Sequence, residues 1–138
     1  PVVRTVFPRA QVLPLLVGPV GTNAITYLTR TIKYAIRAWC SIVAVSANLS
    51  SFGQVHHIDV QSRIILDTLL NGDGHRVADR GSQLINPPRG IGALAIGHQL
   101  NSLAGSICLL ERGRFTTETD EGYQSVALGA FAYYPRTS

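Results

Sequence analysis

Charged residues are scarce in this chain of 138 residues, and acidic ones are missing from its first 58 positions. Only 14% of the residues are charged, against roughly 25% in an average domain. A monomer needs a well-charged surface to stay soluble. The shortage therefore favours a subunit that hides part of its surface against copies of itself. The alternative is a monomer that relies on Ser, Thr, Asn and Gly for solubility.

Other features that the sequence lacks narrow the class of protein. The only cysteines are Cys40 and Cys108, and no Cys/His spacing suggests zinc, so we expect two buried free thiols and no metal site. No uninterrupted apolar run reaches the roughly 18 residues of a membrane-spanning helix, so no membrane partner is expected. The length predicts one domain over residues 1–138, with a short N-terminal arm at about residues 1–10.

Acidic and basic residues are unevenly distributed along the sequence. All eight acids follow position 58, and eleven of the twelve basic residues are Arg, which binds phosphate and carboxylate groups bidentately. The basic first part either pairs with acids of the second part or faces an external anion such as phosphate. We predict nucleic-acid binding, independent of base sequence and most naturally to RNA. The predicted binding residues are Arg4, Arg9, Arg30, Lys33 and Arg37.

Hydrophobic periodicity predicts that the longest strand runs from Ile32 to Val45. Read with period two, apolar side chains share one face, and Lys33 and Arg37 lie together on the other with Trp39. A helical alternative stays open, because Arg30, Lys33 and Arg37 also fall at helical spacing. The β-branched and aromatic content favours the strand.

The rest of the chain fits further short strands. They are predicted at Val12–Val17, Asn23–Leu28, His57–Leu66, Ser106–Arg114 and Ser125–Tyr134, with a strand or short helix at Ile91–Leu103. The segment 71–74 predicts a tight turn, His75–Arg89 a long loop, and the acidic tip Glu118–Gly122 a hairpin connection. The predicted fold is all-β (mainly β): a single-domain antiparallel sandwich of jelly-roll type, or a barrel.

Candidate catalytic and metal-binding clusters are few. On a strand, His57 and Asp59 share a face, whereas His56 points the opposite way, so the pair does not converge on one ion. Asp73, His75 and Asp79 could bind a cation from a loop, but the turn explains the segment equally well. The sequence assigns no role to His98 and predicts no cofactor.

Pro1 supports an alternative function. An N-terminal proline is a secondary amine that acts as a general base when its pKa is lowered, as in proteins of the tautomerase superfamily. There, a long helix follows the first strand, whereas here Pro8, Pro14 and Gly18 interrupt the corresponding segment. We therefore favour a protein that is not an enzyme, and a small oligomeric enzyme of tautomerase type is the alternative.

Two short stretches resemble a known family. They are Arg37-Ala38-Trp39 within the predicted long strand and Gln124-Ser125-Val126-Ala127-Leu128 in the closing strand. The pattern is similar to the small jelly-roll coat proteins of plant satellite RNA viruses, the tobacco mosaic satellite type in particular. That resemblance implies a self-assembling capsid subunit in a virion (alternatively a cytoplasmic protein), which holds RNA with basic inner residues. Those proteins have a basic N-terminal arm, whereas the first ten residues here offer only Arg4 and Arg9.

Trp39 lies on the predicted polar face beside Lys33 and Arg37. A ring of that size gains little from standing in water. We predict that it lies at a subunit contact or stacks on an arginine or a base.

Overall fold

A computed structural model describes residues 5–39, 43–102, 105–120 and 122–135. Its elements are α1 (Thr22–Trp39), α2 (Val55–Asn71), α3 (Gly74–Ser82), α4 (Ile91–Ser102), β1 (Gly105–Thr119) and β2 (Gly122–Pro135). The strands form one antiparallel two-stranded sheet. The prediction of an all-β jelly-roll sandwich or barrel is therefore wrong, since the described residues form a mixed α/β fold dominated by helices. One of the two stretches behind the coat-protein resemblance, 37–39, lies in a helix.

Helix α1 occupies most of the segment that the period-two pattern assigned to a long strand, and the strand predicted at Asn23–Leu28 lies within it as well. Ile25 is fully buried, and Leu28, Ile32 and Ile36 pack around the same core, so the buried side chains recur at helical spacing. Tyr34, which the strand would place beside Ile32 and Ile36, is 79% exposed. The predicted strand Ile32–Val45 is wrong, because the side chains that face the core recur with the 3.6-residue period of a helix and not with period two. Residues 43–45 form neither helix nor strand, and 40–42 lie outside the described residues.

A further predicted strand, His57–Leu66, is wrong for the same reason, because the segment lies in helix α2. Its buried side chains are Ile58, Ser62, Ile65, Leu66 and Leu69, a helical series. Val60, which alternation would bury with Ile58, is 47% exposed. The apolar residues of this segment thus follow two periods at once, and packing selects the helical one.

Helices α3 and α4 pack closely against each other. Asp73 caps α3, its side chain accepting a hydrogen bond from the backbone N–H of Arg76 at 3.0 Å. The first residue of α3, Gly74, approaches α4 so closely that a Cβ there would collide with the backbone oxygen of Ala95. The predicted loop His75–Arg89 is wrong over α3 and holds only after Ser82.

Helix α4 contacts α3, α1 and β1. Its residues 95–98 are all buried, as expected for a helix that is apolar on nearly every side. Of the two alternatives for the segment from Ile91, the helix is the one that forms. No helix in the described part of the chain is both long and apolar enough to cross a membrane.

The predicted hairpin is confirmed, with longer strands than the sequence indicated. Strands β1 and β2 pair from Gly105 opposite Pro135 to Thr119 opposite Gly122, and the register shifts once between Leu109 and Glu111. Gly122 has a φ of 102°, a value that favours glycine, at the tip where the chain reverses. Cys108 on β1 is an exposed free thiol, so its predicted burial is wrong.

The hairpin is anchored to the helical layer through a short part of β2. Ser125, Val126 and Ala127 are buried there. Backbone hydrogen bonds join Gly53 and Ser125 in both directions, at 3.0 and 2.9 Å, and the N–H of Leu49 donates to the Ala127 carbonyl at 3.0 Å. Through this anchor, β2 contributes Ala127 to the cluster of buried side chains that the four helices supply.

The segment before α1 contains no helix or strand between residues 7 and 21, so the strand predicted at Val12–Val17 is absent. Val17 and Val20 pack against the core. Before them stand large apolar side chains that are more than half exposed: Val6, Phe7, Val12, Leu13, Leu15 and Leu16.

Candidate nucleic-acid interface

The exposed face of α1 combines basic and aromatic side chains. Tyr27, Arg30, Tyr34 and Arg37 follow one another at helical spacing, and all four are exposed. We call these four residues the α1 face. Arg30 and Arg37 are seven residues apart, which places them about two turns and about 10 Å apart along one side of the helix. Tyr27 is 70% exposed, so its ring, like that of Tyr34, is open to solvent.

No acidic group balances the α1 face within the helix. Helix α1 contains no Asp or Glu, and the described residues place no carboxylate within ion-pair distance of Arg30 or Arg37. The alternative that these arginines pair with acids of the second part of the chain is thus not what the described residues show. Two guanidinium groups on one side of a helix with no neutralising partner form a local positive potential that attracts anions.

The five predicted nucleic-acid-binding residues do not come together as one set. Arg30 and Arg37 share the α1 face, whereas Lys33 is half-buried at its margin. In the predicted strand Lys33 and Arg37 share a face, whereas in the helix Arg37 shares its exposed face with Arg30. Arg9 is exposed in the segment before α1, and Arg4 lies outside the described residues.

Two further predictions fall where the structure describes little. Trp39 is the last residue of α1, and its side chain is not among those described. Its role at a subunit contact or in stacking stays a prediction. Pro1, the residue on which the tautomerase alternative rests, also lies outside the described residues.

A second basic site, between α2 and β1, was missed at the sequence level. Arg63 on α2 and Arg112 and Arg114 on β1 line an open cleft of about 340 Å³ together with Asp59. We call it the arginine cleft. The signal was present in the sequence, since Arg112 and Arg114 are two residues apart on a correctly predicted strand and so share one face. Their approach to Arg63 depends on packing between distant segments.

Asp59 is the acidic group of the arginine cleft. Its two carboxylate oxygens lie 3.8 Å from Arg112 Nη2 and 3.9 Å from Arg114 Nη1. These separations are ion pairs at the outer limit of contact and exceed hydrogen-bond length. Arg112 Nη2 instead donates to Ser62 Oγ at 2.8 Å, which fixes the guanidinium over α2.

The histidines form no metal centre in the described part of the chain, where no group of three or more His, Cys, Asp or Glu side chains could hold an ion. The rings of His56 and His57 are 6.1 Å apart. Asp73, a candidate cation ligand, caps α3 instead.

His98 has a structural position. It is buried on α4, and its Nε2 donates to the Gly72 carbonyl at 3.1 Å, which ties α4 to the connection between α2 and α3. Burial lowers the pKa of His98 below 6.5, and the hydrogen bond to Gly72 and the charge of Asp73 offset part of that effect.

Comparison with protein-family models, with curated proteins and with solved structures found no match to this chain.

Proposed function

We propose that this chain is a self-assembling subunit that binds single-stranded nucleic acid through the α1 face, independently of base sequence, and encloses it in a capsid or similar shell. The observation that supports the proposal most is the composition of that face. Arg30 and Arg37 lie on one exposed side of α1 with Tyr27 and Tyr34, and no carboxylate accompanies them in the helix.

The side chains of the α1 face suit single strands. Arginine neutralises phosphates and releases their counterions, whatever the base sequence. Exposed tyrosine rings offer surfaces on which unpaired bases stack, and stacking is tolerant of sequence because every base has a π-face. Bases within a duplex already stack on one another, so the tyrosines would contribute little there. RNA with unpaired regions is therefore the preferred partner.

The exposed apolar side chains before α1 support self-association. Val6, Phe7, Val12, Leu13, Leu15 and Leu16 lie within eleven consecutive positions, and none is packed into the core. A group of large exposed apolar side chains on a sparsely charged protein is typical of an interaction site. We propose a second copy of the chain as the partner, because a shell needs contacts between identical subunits.

Binding to a fluorescently labelled oligouridylate tests the arginines. At about 0.1 M salt we expect the variant Arg30→Ala with Arg37→Ala to bind roughly 20-fold more weakly, since each lost phosphate contact removes one released counterion. The matched control is Arg76→Ala with Arg80→Ala, two exposed arginines of α3, a helix that also contains Asp79. An equal loss in the control would contradict a specific role of the α1 face.

Substitution of the tyrosines separates stacking from charge. Tyr27→Leu with Tyr34→Leu removes the rings without changing charge, and we expect at least a tenfold weaker complex, because each stacked base contributes about 1–3 kcal/mol. Tyr27→Phe with Tyr34→Phe keeps the rings and should bind like the wild type. Unchanged binding by the leucine variant would exclude stacking on this face.

Sedimentation velocity tests self-association, with and without oligouridylate. We expect the wild type to form large assemblies and Leu13→Gln with Leu16→Gln to remain small. The control Leu110→Gln with Phe115→Gln removes comparable exposed apolar groups from the hairpin. A wild type that stays monomeric with bound RNA would contradict the shell.

A further inference from the structure

The arginine cleft contains more positive than negative charge. Arg63, Arg112 and Arg114 bring three positive charges to the cleft, and Asp59 brings one negative charge. The cleft therefore has a net charge of about +2 at neutral pH. Like charges gathered in an open cleft repel one another, and a bound anion would reduce that repulsion.

The guanidinium groups of the cleft have N–H groups that donate no hydrogen bond within the described residues. Asp59 stands beyond hydrogen-bond length from Arg112 and Arg114. Within the described residues, no hydrogen bond involves the guanidinium groups of Arg63 or Arg114, and Arg112 Nη2 reaches Ser62 Oγ. Each guanidinium has five N–H donors, so most of those around the cleft face solvent.

We propose that the arginine cleft binds a phosphate monoester. A terminal phosphate has a charge of about −1.5 to −2 at pH 7 and three acceptor oxygens, which matches the net charge and the three guanidinium groups. A carboxylate or a bridging phosphodiester has one negative charge and two free oxygens, which is a poorer match. The volume of about 340 Å³ is enough for a phosphate and its immediate substituent.

The same chemical group could come from two sources, free phosphate or the 5′-terminal phosphate of a nucleic acid. The cleft lies on α2 and β1 and shares no residue with the α1 face, so this proposal does not rest on the proposed function. It can be tested in the Arg30→Ala/Arg37→Ala background. Failure of one site therefore leaves the result for the other intact.

Substitution of Asp59 should change the affinity for phosphate in the direction opposite to substitution of the arginines. Asp59→Asn keeps the shape of the side chain and removes the one negative charge beside the ligand, so phosphate binding should tighten about fivefold, the Coulomb effect expected for a charge in contact with water. Arg63→Gln and Arg114→Gln should each weaken binding about tenfold through loss of a charge-assisted contact. Distortion of the fold would weaken binding in all three variants, so opposite effects exclude that explanation. Arg89→Gln, at an exposed arginine that does not line the cleft, is the matched control.

The experiment titrates inorganic phosphate, a 5′-phosphorylated trinucleotide and its 5′-hydroxyl counterpart into the full chain by calorimetry, in the Arg30→Ala/Arg37→Ala background so that the α1 face does not contribute. Tighter binding of the phosphorylated trinucleotide than of free phosphate supports a nucleic-acid end as the source. Equal binding of those two supports free phosphate. The proposal would be overturned if neither inorganic phosphate nor the 5′-phosphorylated trinucleotide binds. It would also be overturned if the 5′-hydroxyl trinucleotide binds as tightly as the 5′-phosphorylated one. An Asp59→Asn variant that binds phosphate no more tightly than the wild type would overturn it as well.

Discussion

The helical layer and the hairpin are held in place by very different means. Helices α1 to α4 supply nearly all of the buried side chains, and α4 contacts both α3 and α1. The hairpin has strands of 15 and 14 residues, yet among its side chains of described burial the buried ones are Ser125, Val126 and Ala127. A two-stranded hairpin is at best marginally stable alone. The stability of the hairpin therefore depends on the helical layer. Substitutions at the contacts of residues 125–127 should destabilise the hairpin more than the helices.

The largest effect is expected within the helical layer, at the contact between α3 and α4. Gly74→Ala would force a methyl group into the backbone of Ala95 and the side chain of Gln99. We expect the free energy of unfolding to fall by about 3 kcal/mol, as overpacking of a close backbone contact does. Urea unfolding measures the change.

Gly113→Ala is the matched control for that change, in the hairpin. A Cβ at Gly113 meets nothing within 4 Å. The unfolding midpoint of the Gly113→Ala variant should stay close to that of the wild type. If the two variants lose similar stability, the close packing of α3 on α4 is not what sets the stability of the helical layer.

The second effect is expected at the anchor of the hairpin. The Ser50 hydroxyl is buried and accepts a hydrogen bond from the N–H of Ala127 at 2.9 Å. Ser50→Ala leaves that buried N–H without its partner, which costs about 2 kcal/mol. Hydrogen exchange should show faster exchange of the β2 amides, while those of α4 change less.

Ser82→Ala serves as the control for the anchor, because the Ser82 hydroxyl donates to the Asp79 carbonyl at an exposed position. It should leave exchange in β2 unchanged. Equal acceleration in α4 and β2 of the Ser50→Ala variant would mean that hairpin and helices open as one unit.

A pH-dependent effect is expected in the helical layer, at His98. Because burial lowers the pKa of His98 in the folded state, the unfolded chain binds the proton more readily. The contribution of neutral His98 to stability is present above pH 6.5 and is lost as the pH falls through the folded pKa. Urea unfolding between pH 8 and pH 5 should show this decline, and it should be weaker in His98→Gln. Parallel profiles for the two proteins would contradict the assignment to His98.

The smallest effect is a gain in stability. Thr29 is buried in α1, and its Oγ1 has no hydrogen-bond partner among the described residues. Thr29→Val keeps the shape and removes an unsatisfied hydroxyl, which should stabilise the protein by about 1 kcal/mol. Thr26→Val, whose exposed hydroxyl donates to the Thr22 carbonyl, should give no such gain. A destabilised Thr29→Val variant would show that the hydroxyl is satisfied.

The two regions also differ in how far the sequence predicts them. The hairpin was predictable because its turn residues and its apolar segments agree locally. In α1 and α2 the β-branched and aromatic residues satisfy both periods, and only packing against the other elements selects the helix: α1 against α4 and α3, and α2 against α3 and the hairpin. Tyr34 and Val60 show this best, since each fits a buried strand position and each is exposed in the helix.

The candidate sites show the same division. Arg30, Lys33 and Arg37 were identified from charge alone, but which of them share a face depends on secondary structure. The arginine cleft was missed because α2 and β1, which form most of it, are far apart in the chain: Ser62 and Arg112, which join the two elements by a hydrogen bond, are 50 residues apart. A search for acid-free segments cannot find a site where an acid, Asp59, is present.

The salt dependence of binding tests the α1 face most directly. For oligouridylate, a plot of the logarithm of the association constant against the logarithm of salt concentration gives the number of phosphates neutralised. We predict that the magnitude of the slope falls by about 1.4 in Arg30→Ala with Arg37→Ala, or about 0.7 for each lost contact with a single strand. Arg76→Ala with Arg80→Ala should keep the wild-type slope, as should replacement of oligouridylate by oligocytidylate. An unchanged slope in the α1 variant would contradict phosphate binding by this face.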